Sequence, residues 1–529
     1  MEKTKNTTLY SKLWEMANGL RGKMDASEYK NYILGLIFFK FLSDKEEKFL
    51  TEELKKEDKT IDKIETYDKE VQEGIEDAVI DYIGYYFDPK YLYNNILQFD
   101  NRELISNLKK AFSEISDSTI GRKSSNDLKN LFSDIRLDDT RLGITDGERA
   151  SLIKDLMLKI KAIETELELN EHDVLGDAYE YLIGKFASTA GKKGGEFYTP
   201  FNVSKLLAKL VTIDKMEVKT VYDPTCGSGS LLLRVNDEIV LKNGGDDKKG
   251  IRRIYGQELN HTTFNLARMN MFLHKIPYER FVIKNGDTLF DDKFKDEPKF
   301  ELIVANPPFG TRWEAKRGDL LQDERFFQYN VLAPSSRAEL AFIQHMLAHL
   351  DPIVGVMASV CPHGVLFRGN SEKAIRKHII EQQNSLDAII GLPEKLFFGT
   401  GIPAIIWVFK KNRNSKEEIL FIDSSKEFSK LKNQNEITDD NIKKIVDTYK
   451  NSKEIDKYSR LVSRKEIREN DYNLNLSRYI DLNDEVVYRD LDLIKAELKE
   501  INFKKKELLE KILEQEKQLQ RVEVKKDDK

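Results

Sequence analysis

Apolar residues follow two different rhythms along this chain. Up to about residue 160 they recur three or four apart. Leu13, Trp14, Ala17 and Leu20 fall on one face of a first predicted helix. Tyr29, Tyr32, Ile33, Leu36, Ile37, Phe41 and Leu42 give a second helix more apolar surface than a lone helix can cover, so it must pack inside a helical domain. Further helices are predicted at 71–86, 102–115 and 148–169, with exposed loops at 55–63 and 116–126. After Glu171 the rhythm changes. An amphipathic helix at 173–183 is followed, from Val218 to Asp423, by short apolar runs alternating with helical periods. The runs at 220–222, 253–255, 281–283, 302–304, 354–357, 386–390, 404–409 and 419–422 read as strands, with helices at 259–274, 338–350 and 371–382 among those between them. Strand–helix alternation of this kind predicts a doubly wound, mostly parallel sheet.

Beyond Lys410 the chain turns polar. Near its end Leu491, Ile494, Leu498, Ile501, Leu508, Ile512, Leu519 and Val522 form a heptad seam flanked by Glu and Lys. So narrow a seam on an otherwise charged helix predicts a helical partner. The expected division is a helical N-terminal domain (1–165), an α/β domain (166–425), a mixed polar connector (426–484) and a C-terminal helix that docks a partner (485–529).

Composition narrows the setting. With 529 residues and 40% hydrophobic content there is material for substantial cores. A net charge of −5 does not announce a nucleic-acid binder, so any DNA contact needs a local basic face or a partner's. Two cysteines, Cys226 and Cys361, argue for a reducing compartment and against disulfides or structural zinc. The N-terminus lacks a signal-peptide core, and the most apolar early run, 32–39, is too short for a bilayer. The expectation is a cytoplasmic protein without a membrane segment.

The candidate chemistry lies at strand ends. The fourth run of the sheet stops at Asn306-Pro307-Pro308-Phe309. Two imino acids cannot continue a ladder, so the chain leaves the sheet there in a stiff, extended form. Ligands of open α/β sheets bind at such carboxyl ends. An amide oxygen and the Pro307 carbonyl suit the hydrogens of a planar amine, and Phe309 suits stacking on its ring; a Pro-Pro turn capped by Asn is the bland alternative. The first run leads into Asp223-Pro224-Thr225-Cys226-Gly227-Ser228-Gly229-Ser230, a glycine turn opening a helix, where backbone can approach a ligand closely. Leu232 stands where a dinucleotide fingerprint needs its third glycine, and no phosphate-cradling Gly-Lys-Ser or Gly-Lys-Thr follows. Glu258 closes the second run, placed either to accept a ribose's hydroxyls or to favour the next helix's N-terminus. Asp287 closes the third, as an acceptor for an adenine amino group or a turn aspartate. Together the strand ends lay out an adenosyl ligand beside a planar amine.

These motifs resemble the class I S-adenosylmethionine-dependent methyltransferases, and among them the amino-methylating DNA enzymes, whose adenine-N6 members carry Asn-Pro-Pro-Phe. The resemblance implies an α/β Rossmann-like methyltransferase domain with an all-α N-terminal domain and a C-terminal helical, coiled-coil-like tail. By it, Glu196, Phe197, Tyr198, Thr199, Pro200 and Phe201 line the methionine side of the cofactor. Ser228 to Ser230 approach its backbone, Glu258 holds the ribose, and Asp223 with Gly227 and Gly229 shapes the turn. Asp173 to Phe186, Gly194 to Pro200, Phe41-Leu42-Ser43-Asp44 and Tyr472-Asn473-Leu474-Asn475-Leu476-Ser477-Arg478-Tyr479 resemble the modification (M) subunit of type I restriction–modification systems. That implies double-stranded DNA as substrate, a flipped adenine, a specificity (S) subunit, a second M copy and a motor-nuclease (R) subunit. The same chemistry on RNA or on a protein glutamine amide, or a non-catalytic scaffold, is the alternative.

The loop 311–332 interleaves Arg312, Lys316, Arg317 and Arg325 with Trp313, Phe326, Phe327 and Tyr329. It suits either phosphate contact and stacking or a lid packed on its own domain. His345 and His349 stand four apart with no third ligand in view, so no metal is expected. Cys361 and His363 are too close in sequence to face each other easily, which discounts a nucleophile pair.

Overall fold

A computed structural model describes residues 14–15, 26–164, 174–190, 199–316, 318–397, 401–413, 416–431, 434–481 and 491–523. Most of the first predicted helix, and Gly194 to Tyr198, lie outside them. Residues 1–480 form one unit and 481–529 another.

In the first unit the helical rhythm produces α1 (Ala26–Lys56), α2 (Lys69–Ile83), α3 (Leu104–Asp117) and α4 (Asp146–Glu164). The apolar stripe of α1 is buried along its length, with Ile33, Leu36, Phe38 and Phe39 wholly covered. Phe39 meets Phe87, Tyr93 and Phe112 in a ring cluster. α5 (Val174–Ala190) packs on α1, with Phe186 edge-on to Tyr29.

The alternating region builds β1 (Thr220–Asp223), β2 (Arg253–Glu258), β3 (Phe281–Asn285), β4 (Leu302–Ala305), β5 (Val356–Pro362), β6 (Leu386–Gly391), β7 (Ala404–Lys410) and β8 (Glu418–Asp423). Helices α6 (Phe201–Val211), α7 (Ser230–Lys242), α8 (His261–Leu273), α9 (Glu339–His349) and α10 (Asn370–His378) accompany them. A short ribbon, β9 (Ser429–Lys430) with β10 (Asn435–Glu436), precedes α11 (Asp439–Lys450) and β11 (Ser459–Ser463). The described sheet runs β11-β8-β6-β7-β5-β4-β1-β2-β3. From β3 to β5 every pairing is parallel, as the alternation predicts. β7 runs antiparallel between β5 and β6, and β11 antiparallel on the β8 edge. The stretch expected as a polar connector therefore supplies the ninth strand, and its helix α11 packs on α6.

Strand order reverses between β1 and β4, which opens a crevice at their carboxyl ends. β4 is buried on both faces, because β1 and β5 flank it and helices cover it. The two halves of the unit are pinned through α8. Arg268, buried, donates to the carbonyls of Asn126, Asp127 and Lys129 at 3.0, 3.3 and 3.0 Å. Asn265 and Thr262 reach Asp134 at 2.7 and 2.9 Å.

The second unit is α12 (Leu491–Glu523), a 33-residue helix. Leu498, Ile501, Leu508 and Ile512 of its seam are each more than half exposed; the side chains of Leu519 and Val522 lie outside the described residues. No described helix is long and apolar enough to cross a membrane.

Candidate active site

The crevice holds a cavity of about 640 Å³. Its floor is the turn after β1. Gly227 and Gly229 sit at φ +55° and +79°, left-handed angles that favour glycine. A side chain at 229 would also meet Met271 Cε at 2.7 Å. The turn is held from outside: Asn270 Nδ2 donates to the Ser228 carbonyl at 2.9 Å, and Gly227 N–H donates to Glu258 Oε2 at 3.0 Å. Glu258 Oε1 takes the Asn260 N–H at 2.8 Å. One carboxylate thus ties the end of β2 to the glycine turn and faces the cavity. Its expected roles, ribose acceptor and helix-terminal acid, are compatible.

Asp223 at the tip of β1 is fully buried. Its Oδ1 accepts the Thr225 N–H at 2.9 Å, while its Oδ2 is buried with no partner. Burial pushes this carboxyl up to about 8, the Thr225 hydrogen bond opposing and Glu258 adding to the rise. Cys226, also buried, has its thiol pushed well up by burial and lies where a side chain at Gly256 would strike it, so it is a small filler.

At the other wall, Asn306 leaves β4 with Nδ2 donating to Thr199 Oγ1 at 3.0 Å. Its Oδ1 is buried and unpartnered. A fixed amide with one oxygen left over is an acceptor aimed by its own second hydrogen bond. Gly310, at φ +66°, turns the chain after the motif, and its N–H donates to Glu339 Oε1 at 3.0 Å. Ala338 N–H donates to the Thr311 carbonyl at 2.9 Å. The start of α9 therefore sets the exit of the motif, a role with no signal in residue spacing.

Of the predicted site residues, Thr199, Gly227, Ser228, Ser230, Glu258 and Asp287 line the cavity, as do Asn306 and Pro308. Asp223, Gly229 and Pro307 are not part of its lining. Phe309 packs edge-on against Phe397, centroids 6.0 Å apart, off the cavity. Pro200 and Phe201 line a separate hollow of about 480 Å³, where the Arg234 guanidinium lies 4.5 Å over the Phe201 ring. Glu196, Phe197 and Tyr198 lie outside the described residues.

The loop after the motif folds inward. Trp313, Arg325, Phe326 and Tyr329 are buried, which fits a lid packed on its own domain. Arg312, Lys316 and Phe327 remain exposed; Arg317 lies outside the described residues. The fold also brings Asp292 to the histidine pair on α9, a third candidate ligand that spacing does not reveal. His349 Nε2 bonds Asp292 Oδ2 at 2.8 Å, and His345 contacts Tyr222 Oη at 3.1 Å and Arg325 Nη1 at 3.0 Å. With the Arg325 guanidinium 3.8 Å from Asp292, a cation there would face a fixed positive charge. The cluster is an internal ion-pair network. Cys361 is buried with its thiol pushed well up, so it is not a nucleophile.

A mostly parallel sheet with a glycine turn after β1, an acid closing β2 and Asn-Pro-Pro-Phe after β4 is the frame of a Rossmann-like methyltransferase working on an amino group. Two family models match: N-6 DNA methylase over residues 170–486, and HsdM N-terminal domain over 9–160. The chain belongs to the N-6 DNA methylase family, in its type I restriction–modification branch, and its activity is adenine-specific DNA methylation. It is 39% identical over 519 residues to the type I restriction enzyme MpnII methylase subunit of Mycoplasma pneumoniae, covering 95% of this chain and 94% of the relative. It is 40% identical to the crystal structure of a type I restriction–modification methyltransferase subunit from Streptococcus thermophilus, with a TM-score of 0.80 over 90% of this chain and all of the other. A modification subunit of a type I enzyme from Vibrio vulnificus, at 18% identity and a TM-score of 0.60 over 91% of this chain and 99% of the other, shares the fold.

Proposed function

We propose that the cavity takes S-adenosylmethionine and that the chain methylates adenine N6 in duplex DNA as the M subunit of a type I complex, with an S subunit choosing the sequence and a second M copy and an R subunit completing it. The described residues fit the cofactor. Glu258 faces the cavity where a ribose needs acceptors, and Asp287 stands at the end of β3 for the adenine amino group. Asp223, fully buried at the end of β1, backs the glycine turn and helps to shape it. Thr199, which lines the cavity, and Glu196 to Tyr198 are the further candidates for the cofactor's methionine side, whereas Pro200 and Phe201 line the separate hollow. Bound there, the cofactor supplies a methyl group on a positively charged sulfur.

The observation that carries the reading is the free Oδ1 of Asn306. An aryl amine is a poor nucleophile because its lone pair is delocalised into the ring. Hydrogen bonds from its two N–H groups to Asn306 Oδ1 and the Pro307 carbonyl draw that nitrogen toward a tetrahedral geometry and free the pair. Thr199 holds the amide so that its oxygen, not its nitrogen, meets the amine. Pro307 and Pro308 fix the backbone, and Phe309 stacks on the ring of a base flipped out of the duplex. The proton leaves after the methyl arrives, so no dedicated base is needed. Asn306→Ala should lower transfer of labelled methyl to duplex DNA by about 10²–10³-fold or more, with S-adenosylhomocysteine binding retained; undiminished transfer would remove the assignment.

A further inference from the structure

Arg325 sits 19 residues after Asn306 on the segment that leaves the catalytic motif, and all five of its N–H donors are used. Nη1 donates to the Thr288 carbonyl at 2.8 Å and to His345 Nδ1 at 3.0 Å. Nη2 donates to the Leu289 carbonyl at 2.8 Å and to Asp323 Oδ2 at 2.6 Å. Nε donates to Asp323 Oδ1 at 2.9 Å. Because guanidinium can only donate, His345 Nδ1 is the acceptor. Its Nε2 therefore carries the hydrogen and points it at Tyr222 Oη, one residue before Asp223.

The groups gripped here are walls of the cavity. Thr288 and Leu289 line it, and Thr288 Oγ1 donates on to the Pro224 carbonyl of the glycine turn at 2.5 Å. Trp313 lines it too, its ring between Phe290 and Phe326, the neighbour of Arg325. One side chain thus joins the turn after β3, the end of β1, helix α9 and the segment following Asn-Pro-Pro-Phe. Asn306 is held separately, by β4 and Thr199.

We propose that Arg325 is a positioning residue for the cofactor: it fixes the wall made by Thr288, Leu289 and Trp313, so that cofactor affinity depends on the segment that follows the catalytic motif. The proposal rests on the cavity being the S-adenosylmethionine site. A lysine at 325 keeps the charge but has one nitrogen, which cannot reach two carbonyls, an imidazole and a carboxylate together.

The test is calorimetric titration of the full chain with S-adenosylhomocysteine, for wild type, Arg325→Lys and Asp323→Asn, with melting temperatures measured alongside. Methylation of duplex DNA by the assembled complex is measured in parallel. The expected result is wild-type binding and about tenfold weaker binding by Arg325→Lys. Asp323→Asn should fall between them, and the rate at saturating cofactor should stay within about twofold of wild type, raising KM and leaving kcat. Equal affinities in folded variants, or a loss of kcat with KM unchanged, would overturn the proposal. If Arg325→Lys does not fold, Asp323→Asn decides by the same criterion. Absence of wild-type binding would instead overturn the cofactor reading on which the proposal rests.

Discussion

At the scale of single residues, two buried oxygens at the strand ends around the proposed site are unpaired. Asp223 Oδ2 and Asn306 Oδ1 are each buried without a partner, at the ends of β1 and β4. An unsatisfied buried acceptor costs about 1–3 kcal/mol, a penalty that a correctly placed N–H relieves. Asp223 makes its burial measurable by pH. Burial raises its carboxyl to about 8. The raised value favours the folded state at low pH, and that contribution is lost as pH climbs toward 8. Asp223→Asn, which cannot ionise, should flatten that part of the pH dependence of the melting temperature, and an unchanged profile would show that this carboxyl does not titrate in that range. Gly310 gives a second residue-level test. At φ +66°, alanine there should cost about 1–2 kcal/mol in strain and disturb the N–H that Glu339 holds. Methylation should then fall more than S-adenosylhomocysteine affinity does.

At the scale of elements, legibility followed burial. β1, β4, β6 and β7 are covered on both faces and read as continuous apolar runs, so their places were plain in the sequence. β11, Ser459-Arg460-Leu461-Val462-Ser463, is an edge strand with three half-covered positions, and its pattern matches a polar loop. The antiparallel sense of β7 had no local signal, since direction is a property of the path between strands. Motifs adjacent in sequence, such as Asn306 to Phe309, could be read directly. Arg325 with Thr288, and Asp292 with His345 and His349, could not, because 30 or more residues separate the partners and only the fold joins them. The helix α12 carries its own prediction. Its exposed seam predicts that Leu508→Glu with Ile512→Glu, or truncation after Tyr488, prevents copurification with an S subunit while leaving S-adenosylhomocysteine binding intact; normal assembly would refute the docking role.

At the scale of the whole molecule, the helical half and the sheet half share buried surface through α8, the helix that starts just after Glu258. Arg268 is the pin: its removal leaves the carbonyls of Asn126, Asp127 and Lys129 short of a donor in a buried joint. Arg268→Ala should destabilise the chain by about 2–4 kcal/mol, read as a lower melting temperature and faster hydrogen exchange in residues 126–134. Exchange confined to the sheet half would show that the joint is not where stability is lost. The net charge of −5 adds an expectation at this scale: duplex affinity should be weak for the isolated chain and rise on assembly, with a steep dependence on salt.

The reversed β7 has a consequence for how this architecture can diversify. A parallel strand must send the chain back across the whole sheet before the next begins, so its loops are tethered at both edges. The link from Gly391 at the end of β6 to Ala404 at the start of β7 departs from and returns to the same rim, beside Phe309 and Phe397. Residues can be added to or removed from that link without moving any strand, so a descendant of this sequence could reshape the surface beside Phe309 while the cavity keeps its form.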